Sequence, residues 1–104
     1  MFCATVLYPY RAGASFDFDQ YAQKLAPAYA AVLGDNCVRF EVRRGLSSSD
    51  GTPPPYLCVA SFWVRSRDEF GDAMRDPRMG EVMVRIARFT EIEPLRQFDE
   101  VVAG

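Results

Sequence analysis

Tyr56–Val64 reads YLCVASFWV, nine residues with apolar side chains on both parities. Successive side chains of a strand point to opposite faces, so a strand of this kind has to be covered on both sides. It lies between a loop that nothing local would order, LSSSDGTPPP (46–55), and a capping box formed by Ser66 and Glu69. The fold follows from asking what supplies the two covers.

Upstream, Phe2–Tyr8 is β-rich and bounded by Pro9, which predicts the first strand. Asp17 with Gln20 resembles a capping box and opens a helix whose apolar positions run Phe18, Tyr21, Ala22, Leu25, Ala28, Tyr29, Val32 and Leu33. Gly34 suits the positive φ that ends such a helix. Pro27 stands inside it, where a proline removes one donor and crowds the carbonyl of Gln23, four residues back. The spacing therefore predicts a bend, with a small-molecule pocket opening between the bent helix and the sheet. Cys37–Arg44 alternates Val38, Phe40 and Val42 with Arg39, Glu41 and Arg43, the pattern of a strand with one polar face. A second helix begins after Ser66 and breaks at Asp76-Pro77; Met79, Val82, Met83 and Ile86 then continue one apolar face. The last strand is expected over Glu91–Glu100, with Pro94 marking an edge or a bulge.

The order βαββαβ is the ferredoxin-like α+β plan, one domain over residues 1–104 with a four-stranded antiparallel sheet. Right-handed crossovers set both helices on one side of that sheet. They cover one face of Tyr56–Val64, and the other calls for a second copy of the chain, which gives a homodimer shaped as a dimeric α/β barrel.

Composition narrows function by exclusion. The formal charge of −2 and the lack of any Lys/Arg run predict no nucleic-acid partner. No apolar stretch is long enough to span a bilayer, and Phe2–Tyr8 lacks the flanks of a signal peptide, so no membrane is expected and the location is read as cytoplasmic. Three unpaired cysteines, Cys3, Cys37 and Cys58, read as small buried hydrophobes rather than a disulfide or metal framework. The chain has no histidine, which removes Ser-His-Asp and Cys-His catalysis, HExxH zinc chemistry and a His-ligated haem. No metal or other cofactor is implied. Acid–base work falls to carboxylates and phenols, with Tyr8, Glu91 and Glu93 as the candidates. Glu91 and Glu93 share a parity, and an enclosed glutamate would have a raised pKa. Strand parity puts Ser61 and Trp63 on one face and Phe62 on the other.

Four segments, VLYPYRAGASFDFDQY (Val6–Tyr21), VRFEVRRGL (Val38–Leu46), PPPYLCVASFWV (Pro53–Val64) and FTEIEP (Phe89–Pro94), resemble the EthD family of small dimeric α/β-barrel proteins over nearly the whole length. The resemblance implies the same fold and dimer. The family takes its name from a protein associated with ether breakdown by a haem monooxygenase system, many members have no assigned activity, and some fungal relatives look like dehydratases of polyketide-type aromatics. The family often carries a histidine two residues before the helix proline, where this chain has Leu25, and another in the third strand, where Ser61 stands. If the latter position marks the helix-side pocket, Ser61 and Trp63 line it with Tyr21, Leu25 and Tyr29, Phe62 points into the dimer barrel, and Arg39 is available to grip a ligand oxygen. Three readings stay open: an enzyme or accessory acting on a small apolar or aromatic molecule, a non-catalytic binding dimer that has lost the family's histidines, and a purely structural dimer whose pocket under Pro27 is filled.

Overall fold

A computed structural model describes residues 1–104. Strands β1 (Phe2–Pro9), β2 (Cys37–Arg44), β3 (Tyr56–Val64) and β4 (Leu95–Glu100) form one antiparallel sheet in the order β2-β3-β1-β4. Helix α1 spans residues 18–33, α2 is Arg67–Met74 and α3 is Pro77–Phe89. This is the ferredoxin-like α+β fold, with β1 and β3 central. All three helices lie on one side. The least dimension of the chain is 19 Å, the depth of one helix layer on one sheet.

Helix α1 explains its own proline. It begins as a single α-turn, Phe18–Gln20, capped by Asp17, whose Oδ1 accepts from the Gln20 amide at 3.0 Å. It then widens into a π-helical turn, Tyr21–Leu25, before resuming as α-helix over Ala26–Leu33. The Ala26 amide bonds the Tyr21 carbonyl, five residues back. Pro27 thus falls in the first turn of a new α-helical segment, where its missing donor is least needed. The extra residue in the π turn lets Tyr21, Leu25, Ala26, Tyr29 and Leu33 all face the sheet, each at most 7% exposed. Gly34 follows at φ 62°, a conformation that favours glycine.

The parity of β3 differs from expectation. Cys58, Ala60, Phe62 and Val64 point at the helices, and Phe62 packs on Tyr29 with ring centroids 4.5 Å apart. Phe62 is therefore a core residue beneath α1, and Ser61 and Trp63 lie on the helix-free face. Strand alternation makes the two sets exclusive but does not say which set faces the helices; contact with α1 decides it. The last strand is shorter than expected. Glu91–Pro94 forms a non-strand lead-in, since Pro94 has no amide to offer β1, and the ladder begins at Leu95 opposite Leu7.

Asn36 ties the helix layer to the sheet. Its side chain donates to the Ser66 carbonyl at 2.9 Å and accepts from the Ser66 amide at 2.8 Å, while its own carbonyl accepts from the Arg65 amide at 3.0 Å. Asn36 is buried, so its removal leaves both backbone groups of Ser66 without these partners. Asn36→Ala is expected to destabilise the fold by about 1–3 kcal/mol, read as a lower urea midpoint with an unchanged m-value.

Candidate functional site

Three phenols converge beneath α1. Tyr8 comes from β1 and is fully buried; Tyr21 and Tyr29 come from the π turn and the segment after it. Tyr8 and Tyr21 meet edge to face with centroids 5.4 Å apart, and Phe16 closes the far side at 5.0 Å from the Tyr8 ring. The Tyr8 hydroxyl has no hydrogen-bond partner. It is the one buried side-chain polar atom of the chain in that position. The neighbouring Tyr21 phenol influences it without meeting hydrogen-bond geometry.

Burial pushes all three phenols above their ordinary pKa of 10, because the phenolate would lose its hydration. Tyr29 rises to about 12, against an opposing pull from the Arg96 charge. Tyr21 is pushed up further, by burial first and by Tyr8 second. At neutral pH these groups are hydrogen-bond donors and not bases. Burial also pushes the nearby Cys58 thiol up to about 12, which keeps it protonated and unreactive.

Space at this site has two parts. Between the phenols, Phe62 and Met83 only about 10 Å³ is open to the centre of a water-sized sphere, room for one such atom. The small-molecule pocket expected under Pro27 is not there, because Leu25, Tyr29 and Phe62 fill the space. A wider groove of about 340 Å³ lies beside it, between α3 and the lead-in to β4. Met83, Ile86 and Arg96 line both spaces, so the groove and the phenol-lined space lie side by side.

The sequence-derived residues separate into three places. Tyr8, Tyr21 and Tyr29 border the inner space. Leu25 is 1% exposed and packs into the core without lining that space. Ser61, Trp63 and Arg39 sit on the opposite face of the sheet, where Arg39 lies 4.3 Å above the Trp63 ring. There Glu41 pairs with both Arg39 and Arg43, and Arg43 donates to the Ser61 hydroxyl at 3.2 Å. Glu91 is not an enclosed acid. Its exposed carboxylate accepts from the Ser15 amide at 3.1 Å and pairs with Arg11 at 3.3 Å. Those contacts, the amide first, lower its pKa. Glu93 borders the groove and forms no ion pair. Arg96 was not anticipated. Its signal is parity: opposite Val6 in the ladder, it shares the helix-side face with Phe98, and it becomes legible once the strand is counted from Leu95.

No group of three or more Cys, Asp or Glu side chains is placed to hold a metal ion, and no helix is long and apolar enough to cross a membrane.

These features belong to the small ferredoxin-like α+β proteins. The chain is 35% identical to an EthD-like protein of Ralstonia eutropha JMP134, covering 98% of this chain and 92% of that one with a TM-score of 0.89, and it belongs to the EthD family. An ethyl tert-butyl ether D (EthD) family protein of Bacillus halodurans C-125 is 15% identical, with 98% and 99% covered and a TM-score of 0.78. A dimeric ferredoxin-like protein of unknown function from Thermobifida fusca YX shares the fold at 12% identity, with 96% and 90% covered and a TM-score of 0.61. No family model and no curated protein matches the chain.

A carboxylate with a lowered pKa stabilises the fold above its unfolded pKa, and that contribution is lost as pH falls through the folded value. For Glu91 the ordinary value is 4.5. The stability difference between the native chain and Glu91→Gln is expected to be constant at neutral pH and to shrink toward zero below that value, in melting curves taken across the acid range.

Proposed function

We propose that the protein is a homodimer that binds a small apolar or aromatic organic molecule, with the body of the ligand in the groove between α3 and β4 and one end at the buried phenols. The observation that carries this reading is that the 340 Å³ groove shares Met83, Ile86 and Arg96 with the inner space bordered by Tyr8, whose hydroxyl has no partner. Its volume is that of a small-ligand site, and a buried hydroxyl without a partner is a group prepared for a guest. Membership of the EthD family is consistent with such a guest.

The dimer rests on the sheet. Its helix-free face carries Leu7, Leu57, Val59 and Trp63, all only half-buried in the lone chain, around the Arg39–Glu41–Arg43 lattice. A second copy of that face, related by a two-fold axis, is the simplest cover.

A second reading adds chemistry at the same place. In a dehydration Tyr8 would give its proton to a substrate hydroxyl, which leaves as water as its C–O bond breaks. Glu93, the groove's carboxylate without an ion pair, takes the adjacent C–H proton as the C=C bond forms and returns it to the phenolate. Glu91, held by Arg11 and the Ser15 amide, takes no part.

Two measurements test the proposal. Sedimentation at micromolar concentration is expected to show a dimer for the native chain and a monomer for Val59→Arg; a monomeric native chain overturns the assembly. A thermal-shift panel of bicyclic aromatics is expected to raise the melting temperature by several degrees, and Met83→Trp, which fills the junction of groove and cleft, to abolish the shift. A panel without any effect overturns the binding reading.

A further inference from the structure

The inner space and the outer groove differ in chemistry as well as size. The groove holds a ring-sized body; the space within holds a single water-sized atom. That atom would lie among Tyr21, Tyr29 and Phe62, in a space that Tyr8 and Arg96 also border. The Tyr8 hydroxyl has the Tyr21 phenol as a neighbour, which lowers the Tyr8 pKa without reaching hydrogen-bond geometry. The Tyr8 hydroxyl is buried without a partner, and Arg96 forms no ion pair and no side-chain hydrogen bond. Both acidic residues on the groove leave Arg96 free: Glu91 is held by Arg11, and Glu93 comes no nearer than ion-pair distance. Every other element packed there, α1 and α3, presents apolar or phenolic side chains to the inner space.

On the reading that this groove binds an aromatic guest, we propose that the guest carries an acidic oxygen, a carboxylate or an enolate, that enters the inner space and is held between Arg96 and the Tyr8 hydroxyl. A hydrocarbon would leave both groups unanswered, and a neutral carbonyl would engage only the phenol at full strength. An anionic oxygen uses both, and a charge-assisted bond is about twice as strong as a neutral one. The Arg96 charge acts on Tyr8 and on Tyr29, opposing the upward pull of burial on each, which places it within electrostatic reach of both phenols. Arg96 is thus a specificity residue: the apolar walls accept the ring, and the guanidinium selects its oxygen.

Calorimetric titration of the full-length protein at neutral pH with naphthoate, acetylnaphthalene and methylnaphthalene tests this. The expected order is naphthoate tightest and methylnaphthalene weakest. Arg96→Gln is expected to weaken naphthoate about tenfold or more and to change acetylnaphthalene by less than about twofold, whereas Arg96→Lys keeps part of the preference. Tyr8→Phe is expected to weaken both oxygen-bearing probes by about three- to tenfold and to leave methylnaphthalene unchanged. Arg96 is exposed, so its variants are expected to fold, which their melting curves verify. Equal binding of all three probes, or an Arg96→Gln variant that still prefers naphthoate, overturns the acidic-oxygen assignment and leaves the binding groove standing. No binding of any probe overturns both.

Discussion

The contact between Phe62 and Tyr29 governs the rest of the structure. Once that ring lies under α1, strand alternation sends Cys58, Ala60 and Val64 to the same side and Ser61, Trp63 and Val59 to the other. Pairing with β1 then assigns Ala4, Val6 and Tyr8 to the helix side, and pairing of β1 with β4 assigns Arg96 and Phe98. One aromatic contact thereby sorts the side chains of three strands into a cleft and an opposite face. A shift by one residue would exchange them wholesale.

The π turn in α1 is the second constraint, and it is local. A regular helix through Pro27 would set the proline ring against the Gln23 carbonyl. Widening the turn before it removes that conflict and keeps Tyr21, within the irregularity, and Tyr29, just after it, both buried against the sheet. The proline bends no cavity open. It marks where the helix changes winding, and the phenols before and after it border the same small space.

The two faces of the sheet use different physics. On the helix side, polar groups are few and protonated: phenols raised by burial, a thiol raised with them, and a single guanidinium at the edge. On the opposite side an ionic lattice of Arg39, Glu41 and Arg43 lies across half-buried leucine, valine and tryptophan. The first suits a guest that brings its own polar atom into an apolar setting. The second is a surface in which charges pair along one strand, β2, beside apolar side chains of its neighbours.

Much of this chain was legible before any coordinates. Element order, antiparallel sheet, capped helices and the break at Asp76-Pro77 follow from periodicity and turn chemistry, because those signals lie within a few residues of one another. The convergence of Tyr8 with Tyr21 and Tyr29 was half visible, since each sits on an apolar parity of its own element. Three things were beyond local reach. Which face of β3 meets the helices depends on packing between residues far apart in the chain, and alternation is symmetric about that choice. The start of β4 at Leu95 depends on whether β1 can supply partners, and Arg96 came into view only with it. The volume beneath Pro27 depends on how Leu25, Tyr29 and Phe62 fill space together, a property of three dimensions that no one-dimensional pattern encodes.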